Sequence, residues 1–192
     1  MSMRVKKFCI TAICLILIVF SSSAQAGGTG GEVQFVAIGK PSAIRIVGKE
    51  SGIQNQFTLS GLALSGTSKV LLDGFTTGIA KRDEHMKKKY LETDKFSEAV
   101  FQLNTLSLPA AFQSEEAKAE GVPFTGKLKL HGVEKDISGS ADIKKVKEKI
   151  LVNAKFKFGV QDFNIAIPSF AGITVTDQIE IEVKLETTPE KK

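Results

Sequence analysis

The sequence predicts an all-β domain, a closed antiparallel barrel or a sandwich of about eight strands, with one short helix. Three observations lead there. Apolar and polar residues alternate with a period of two over several runs. Turn residues such as His131-Gly132 separate the clearest of these runs. One charged stretch, Arg82 to Leu91, has helical spacing instead. Closure into a barrel also removes sticky sheet edges.

The first 26 residues stand apart from the fold. Arg4, Lys6 and Lys7 make a basic head, and Phe8 to Phe20 is apolar except for Thr11. That run is too short to span a bilayer comfortably. Ala24-Gln25-Ala26 puts small residues at −3 and −1, so cleavage after Ala26 is expected, leaving Gly27 as the new N-terminus. The expected product is periplasmic or secreted, with no stable membrane insertion. Both cysteines, Cys9 and Cys14, fall in this segment. The remaining chain must therefore be stabilised by a core and not by disulfides. Taking 26 residues from 192 leaves 166, enough to bury one core as a single domain. Loss of the three basic residues lowers the net charge from +5 to +2. The remaining charges are interspersed, which argues against a nucleic-acid partner. Residues 27–31 read as a flexible leader, 32–186 as the domain and 187–192 as a frayed tail.

Within the domain the short strand candidates are Ile44–Ile46, Phe57–Leu59, Leu62–Leu64, Val70–Leu72 and Phe101–Leu103. In the predicted helix, Met86 and Tyr90 share a face with Ile79. Asp83 lies at its N-terminal end, where a carboxylate accepts backbone N–H groups, and Lys87, Lys88 and Lys89 crowd the favourable C-terminal half. The clearest strand is Phe124 to Leu130. Phe124, Leu128 and Leu130 alternate with Thr125, Lys127 and Lys129, and Gly126 falls on the apolar face, where a ligand or another backbone can come close. The return strand places Val133, Ile137, Gly139, Ala141 and Ile143 on one side. Lys144 to Lys149 reads as a solvated hairpin tip, since Glu148 interrupts its basic run and no aromatic accompanies it. Ile150 to Val160 forms another alternating strand, and Ile173 to Leu185 the last.

The chemistry on offer is thin. After cleavage no cysteine remains and the only histidines are His85 and His131, and Asp83, Glu84 and His85 are neighbours that splay apart on a helix. No metal is expected, because no third ligand is indicated by spacing. There is no G-x-S-x-G elbow, G-x-G-x-x-G or P-loop pattern. No catalytic residue and no cofactor are expected. Phenylalanine is the distinctive feature, with thirteen Phe against one Tyr and no Trp. Phe57, Phe101, Phe124, Phe156, Phe158 and Phe163 fall at or near inward positions. Inward aromatics serve as core by default, but an eight-stranded barrel has room either for side chains or for one small ligand. A lumen of Phe, Leu and Ile without a catalytic polar group suits a long apolar molecule.

Four segments in order carry a family resemblance. They are KRDEHM at Lys81–Met86 with FSEAVFQL at Phe96–Leu103, TGKLKLHGVEKDI at Thr125–Ile137, FKFGVQDFNI at Phe156–Ile165, and VTDQIEIEVKLE at Val175–Glu186. The chain resembles the YceI-like family of secreted, polyisoprenoid-binding proteins over most of residues 32–186. The resemblance implies an extended lipocalin-like antiparallel barrel holding an isoprenoid lipid, such as a polyprenyl chain or isoprenoid quinone. It implies no reaction. The aromatic residues above, with Gly126 and Leu128, would line the cavity. Arg82, Asp83 and His85 would meet a head group or cap the helix. Two departures stand out. Ile53 to Gly74 lacks the family's usual charged segment, and Phe57–Ser65 offers only short side chains opposite Phe57, Leu59 and Leu62. A structural module with a filled barrel and an enzyme acting on a lipid or small molecule remain the rival readings, and a homodimer stays open.

Overall fold

The alternating runs form strands in the computed structural model, which describes residues 28–41 and 43–191. The expected export segment, residues 1–26, lies outside the described residues. The strands are β1 (Gly28–Thr29), β2 (Gly31–Lys40), β3 (Ile44–Glu50), β4 (Gln54–Ser60), β5 (Ala63–Leu71), β6 (Glu98–Ser107), β7 (Glu116–Leu130), β8 (Val133–Val146), β9 (Lys149–Gly159), β10 (Ser169–Phe170), β11 (Ile173–Val175), β12 (Gln178–Thr187) and β13 (Glu190–Lys191). They make one sheet of thirteen segments, where the sequence predicts about eight strands. The wall itself, in the order β4-β5-β6-β7-β8-β9-β12-β2, does contain eight, and β3 adds to the free flank of β2. Among the described residues no helix is long and apolar enough to cross a membrane.

The ends of the sheet meet through the chain itself. β1 pairs with β4, and after Gly30 the same chain continues as β2 against β12. β13, following β12, pairs parallel with β4. Lys49 and Thr76 exchange backbone bonds of 2.9 and 3.0 Å beside these links. Each join supplies partners for edge groups that would otherwise face solvent unpaired. Thus Gly28–Thr29 and Glu190–Lys191, inside the segments read as leader and tail, sit in two-residue strands.

Several elements differ from the expected bounds. β2 is a strand that the sequence pattern does not single out. The two candidates Leu62–Leu64 and Val70–Leu72 are ends of one strand, β5, joined through the small polar run Ser65 to Lys69. β7 begins at Glu116, well before Phe124, with an irregularity between Ala119 and Val122. The hairpin tip predicted over Lys144–Lys149 narrows to Lys147 and Glu148, because Lys144 and Lys145 are paired with Leu151 and Ile150. The run Ile173–Leu185 is two strands, since the chain turns at Thr176 and Asp177 before β12 begins. Both β11 and β12 still pair with β2.

The helix α1 (Ala80–His85) continues as a π-helical stretch over Met86–Leu91 and ends at Glu92, whose φ of 45° is left-handed. Met86 and Tyr90 pack inward as the spacing predicts. Ile79 precedes the helix and remains 49% exposed. At the β7–β8 turn His131 and Gly132 have φ of 51° and 75°, the pair of left-handed residues that matches the twist of a tight hairpin.

Two apolar clusters occupy the barrel interior. One, on the helix side, includes Ile53, Tyr90, Leu128, Phe158 and Phe163. The other includes Phe57, Leu106, Phe112, Phe124 and Ile143. Phe101 and Phe156 pack against both and form a waist between them.

Candidate ligand-binding cavity

Inward alternation on eight strands leaves space that the side chains do not fill. A cavity of about 290 Å³ runs along the barrel interior, at the lower end of the roughly 300–1,000 Å³ of ligand pockets. It touches both clusters, reaching Leu64 and Ile143 on one side and Met86 and Phe170 on the other. Its lining is almost wholly apolar.

Of the aromatic residues predicted to face inward, Phe101, Phe124, Phe156, Phe158 and Phe163 make a continuous belt. Phe101 packs edge-on to Phe124 at 5.8 Å and stacks on Phe156 at 6.1 Å. Phe156 stacks in turn on Phe158 at 6.3 Å. These separations are normal for offset and edge-to-face pairs. Phe57, Phe101, Phe124, Leu128, Phe156 and Phe158 all line the cavity. Phe163 does not. It is wholly buried behind Phe158, edge-on at 4.9 Å. Gly126 lies on the inward face as predicted but does not line the cavity either. The ring of Phe101 covers it, leaving no room for a side chain.

The helix, the β10–β11 hairpin and the β2–β3 hairpin surround one end. Partly exposed cavity residues gather there, among them Ile46, Arg82, His85, Phe170 and Ile173. At the opposite end Leu64, Leu106 and Ile143 are buried. The helix is fastened to the β10–β11 hairpin by Tyr90. Its hydroxyl donates to the Ser169 carbonyl at 3.1 Å and accepts from the Ser169 N–H at 2.9 Å. His85 sits between the rings of Tyr90 and Phe170, at 5.4 and 5.7 Å. The sequence shows Tyr90 on the apolar helix face but carries no sign of its partner Ser169, 79 residues on.

Of the polar trio, His85 and Arg82 line the cavity and Asp83 does not. Asp83 accepts from the Thr76 hydroxyl at 2.7 Å, the Thr77 N–H at 2.8 Å and the Thr77 hydroxyl. Burial pushes its carboxyl up, but the bonds from Thr77 and Thr76, with the charge of Lys87, outweigh burial and hold it below the ordinary aspartate value. Arg82 donates to the Thr77 hydroxyl at 2.8 Å and to the Thr77 carbonyl at 2.9 Å. Both side chains thus pin the helix to the loop before it, and neither caps the helix itself, whose N-cap position is Ile79 with no side-chain cap bond.

His131 is far removed in character from His85. Its Nδ1 lies 3.1 Å from the Phe163 carbonyl and its Nε2 3.1 Å from a Glu92 carboxylate oxygen, with Phe96 against the ring. Bonds from Lys95 and then from His131 hold the Glu92 carboxyl below its ordinary value. The imidazole thereby ties the hairpin turn to the end of the helical segment. Among the described residues no group of three or more His, Cys, Asp or Glu is placed to hold a metal.

A YceI-like domain matches residues 32–187 of this sequence. The chain belongs to the YceI-like family. Solved structures share its fold at low identity. A polyisoprenoid-binding domain from Saccharophagus degradans, implicated in plant cell wall breakdown, has a TM-score of 0.67 at 15% identity, covering 85% of this chain and 97% of that one. BcnA of Burkholderia cenocepacia has a TM-score of 0.63 at 16% identity, covering 81% and 96%. The YceI protein of Campylobacter jejuni has a TM-score of 0.58 at 18% identity, covering 74% and 84%. No curated protein matches the sequence. In this YceI-like barrel Phe57, Phe101, Phe124, Phe156 and Phe158 line the lumen, while Asp83 and Arg82 hold the helix to the loop at Thr76 and Thr77, and Arg82 and His85 line the lumen's partly exposed end.

Proposed function

We propose that this YceI-like protein is a periplasmic carrier that holds an apolar isoprenoid lipid in its barrel. The observation that carries the reading is the interior cavity, lined by Phe, Leu, Ile and Val from nearly every strand of the wall. Such a lining offers apolar burial worth roughly 25 cal/mol per Å² before the costs of association. It offers no convergent set of polar groups for bond chemistry, and the role is binding, not catalysis. The family and the description of the Saccharophagus degradans domain as polyisoprenoid-binding support the same ligand class. The basic head, apolar run and Ala24-Gln25-Ala26 site support export to the periplasm.

Organic extraction of freshly purified protein, followed by mass spectrometry, tests the reading. An isoprenoid chain is expected in the extract at a substantial fraction of the protein. Protein that carries no lipid and takes none up from isoprenoid-loaded micelles overturns it in favour of a structural module.

A further inference from the structure

Asn55 interrupts an apolar wall. It stands on β4 two residues from Ile53 and two from Phe57, and the alternation of strand side chains turns all three to the interior. Ile53 and Phe57 line the cavity, and so does Ser68, the residue directly opposite Asn55 on β5. Asn55 is 2% exposed, and neither its Oδ1 nor its Nδ2 has a hydrogen-bond partner among the described residues. Burying a polar group without a partner is unfavourable, and native interiors avoid it. Asn55 does not itself line the cavity but stands directly behind Ile53, Phe57 and Ser68, which do, so an orphaned amide there points to a ligand oxygen that reaches between them.

The position is specific. Ser68 is level with Phe101 of β6, a residue of the waist. Ile53 belongs to the helix-side cluster and Phe57 to the other, so Asn55 lies between them. Directly opposed residues on paired strands keep their Cβ atoms roughly 4.5–5.5 Å apart. The Asn55 amide and the Ser68 hydroxyl can therefore address one ligand atom.

We infer that Asn55 and Ser68 form a neutral hydrogen-bonding subsite midway along the lumen, for an uncharged hydroxyl or carbonyl oxygen of the lipid. The inference rests on the carrier role and narrows its ligand. An amide presents both donors and an acceptor, so it serves a hydroxyl or a carbonyl equally well. A bare hydrocarbon leaves the amide orphaned. A phosphate at this depth would need a cation, and Lys69, which also lines the cavity, is already paired with Glu98 at 2.5 Å. The ligand class is thus an isoprenoid whose neutral oxygen lies inside the barrel.

Farnesol and its saturated hydrocarbon counterpart farnesane test this as an equimolar pair in detergent micelles. Delipidated protein is loaded, separated by gel filtration and extracted, and the bound ratio is read by gas chromatography with mass spectrometry. Wild type and variant face the same micelles, so partitioning cancels when their ratios are compared. Asn55→Leu is expected to lower the farnesol-to-farnesane ratio by about two- to tenfold, with farnesane binding retained. Ser68→Ala, which leaves the amide in place, should shift the ratio the same way and serves if Asn55→Leu fails to fold. A folded Asn55→Leu protein with the wild-type ratio overturns the inference alone, as does a rise in melting temperature with no change in ratio. Wild-type protein that binds neither probe overturns the carrier role as well.

Discussion

An added Cβ at Gly126 would lie 2.4 Å from Phe101 Cζ and 2.5 Å from the Gln102 carbonyl oxygen. The first contact is with a ring held in the aromatic belt, and the second is with backbone, so neither yields cheaply. Gly126 on β7 is therefore the space in which Phe101 of β6 lies. Gly66 plays the same part for Phe57, whose Cδ1 would be 2.6 Å from a Cβ there. In this barrel the glycines set where the aromatic rings fall, and the rings set the shape of the cavity. Gly126→Ala is expected to destabilise the protein by about 1–3 kcal/mol through overpacking, read as a shift in denaturant midpoint. Gly30→Ala is the control, since nothing lies within 4 Å of its added Cβ. Equal midpoints for the two variants would show that the waist is loose enough to absorb a methyl group.

The elements that were legible in sequence share one property, a single buried face. From Phe124 to Ile143 both strands alternate, and the burial follows that alternation except at Lys135, a charged and exposed residue at an inward position close to the turn. β2 lacks that pattern, because Val33 and Ala37 are apolar on the buried side while Val36 and Ile38 are apolar on the other. The middle of β5 and the start of β7 were hidden by small or polar residues, with Pro123 and Gly121 adding false breaks in β7. The aromatic lining was legible because parity alone places a phenylalanine. Asn55, Thr77 and Ser169 are not, because a polar residue type shows neither its burial, as at Asn55, nor its partners, as at Thr77 and Ser169. The helix was legible, and its anchoring can be tested by pH. The Asp83 carboxyl lies below its ordinary value in the folded state. The stability it adds is therefore full above the unfolded value of about 3.9 and is lost as pH falls through the lower folded value. Wild type should exceed Asp83→Asn in denaturant midpoint at pH 7, with the gap closing steadily below about pH 4. A gap of constant size down to pH 2 would mean that the carboxylate charge contributes nothing to holding the loop at Thr76 and Thr77.

At the scale of the whole molecule the barrel joins two apolar clusters through its waist. Phe156 packs against both and also lines the cavity. Phe112 is more deeply buried than the partly buried Phe156, at 2% exposure, but belongs to one cluster only and lies off the cavity. The ion pairs are no substitute for this core. Lys88–Glu84, Lys118–Glu120 and Lys149–Glu186 all have both partners well exposed, and solvent screening leaves such pairs little net effect on stability. Truncating either phenylalanine should therefore be severe, on the order of 3–5 kcal/mol for Phe→Ala. The two losses differ in what can repair them. The space left by Phe156→Ala opens into the lumen, where a bound lipid can occupy it and stabilise the folded state by mass action. The space left by Phe112→Ala is closed off from the lipid. Melting temperatures measured with and without saturating farnesol should accordingly rise more for Phe156→Ala than for Phe112→Ala, with wild type as the reference. Equal rises for both variants would place the lipid outside the waist and sink the assignment of this cavity as the binding site.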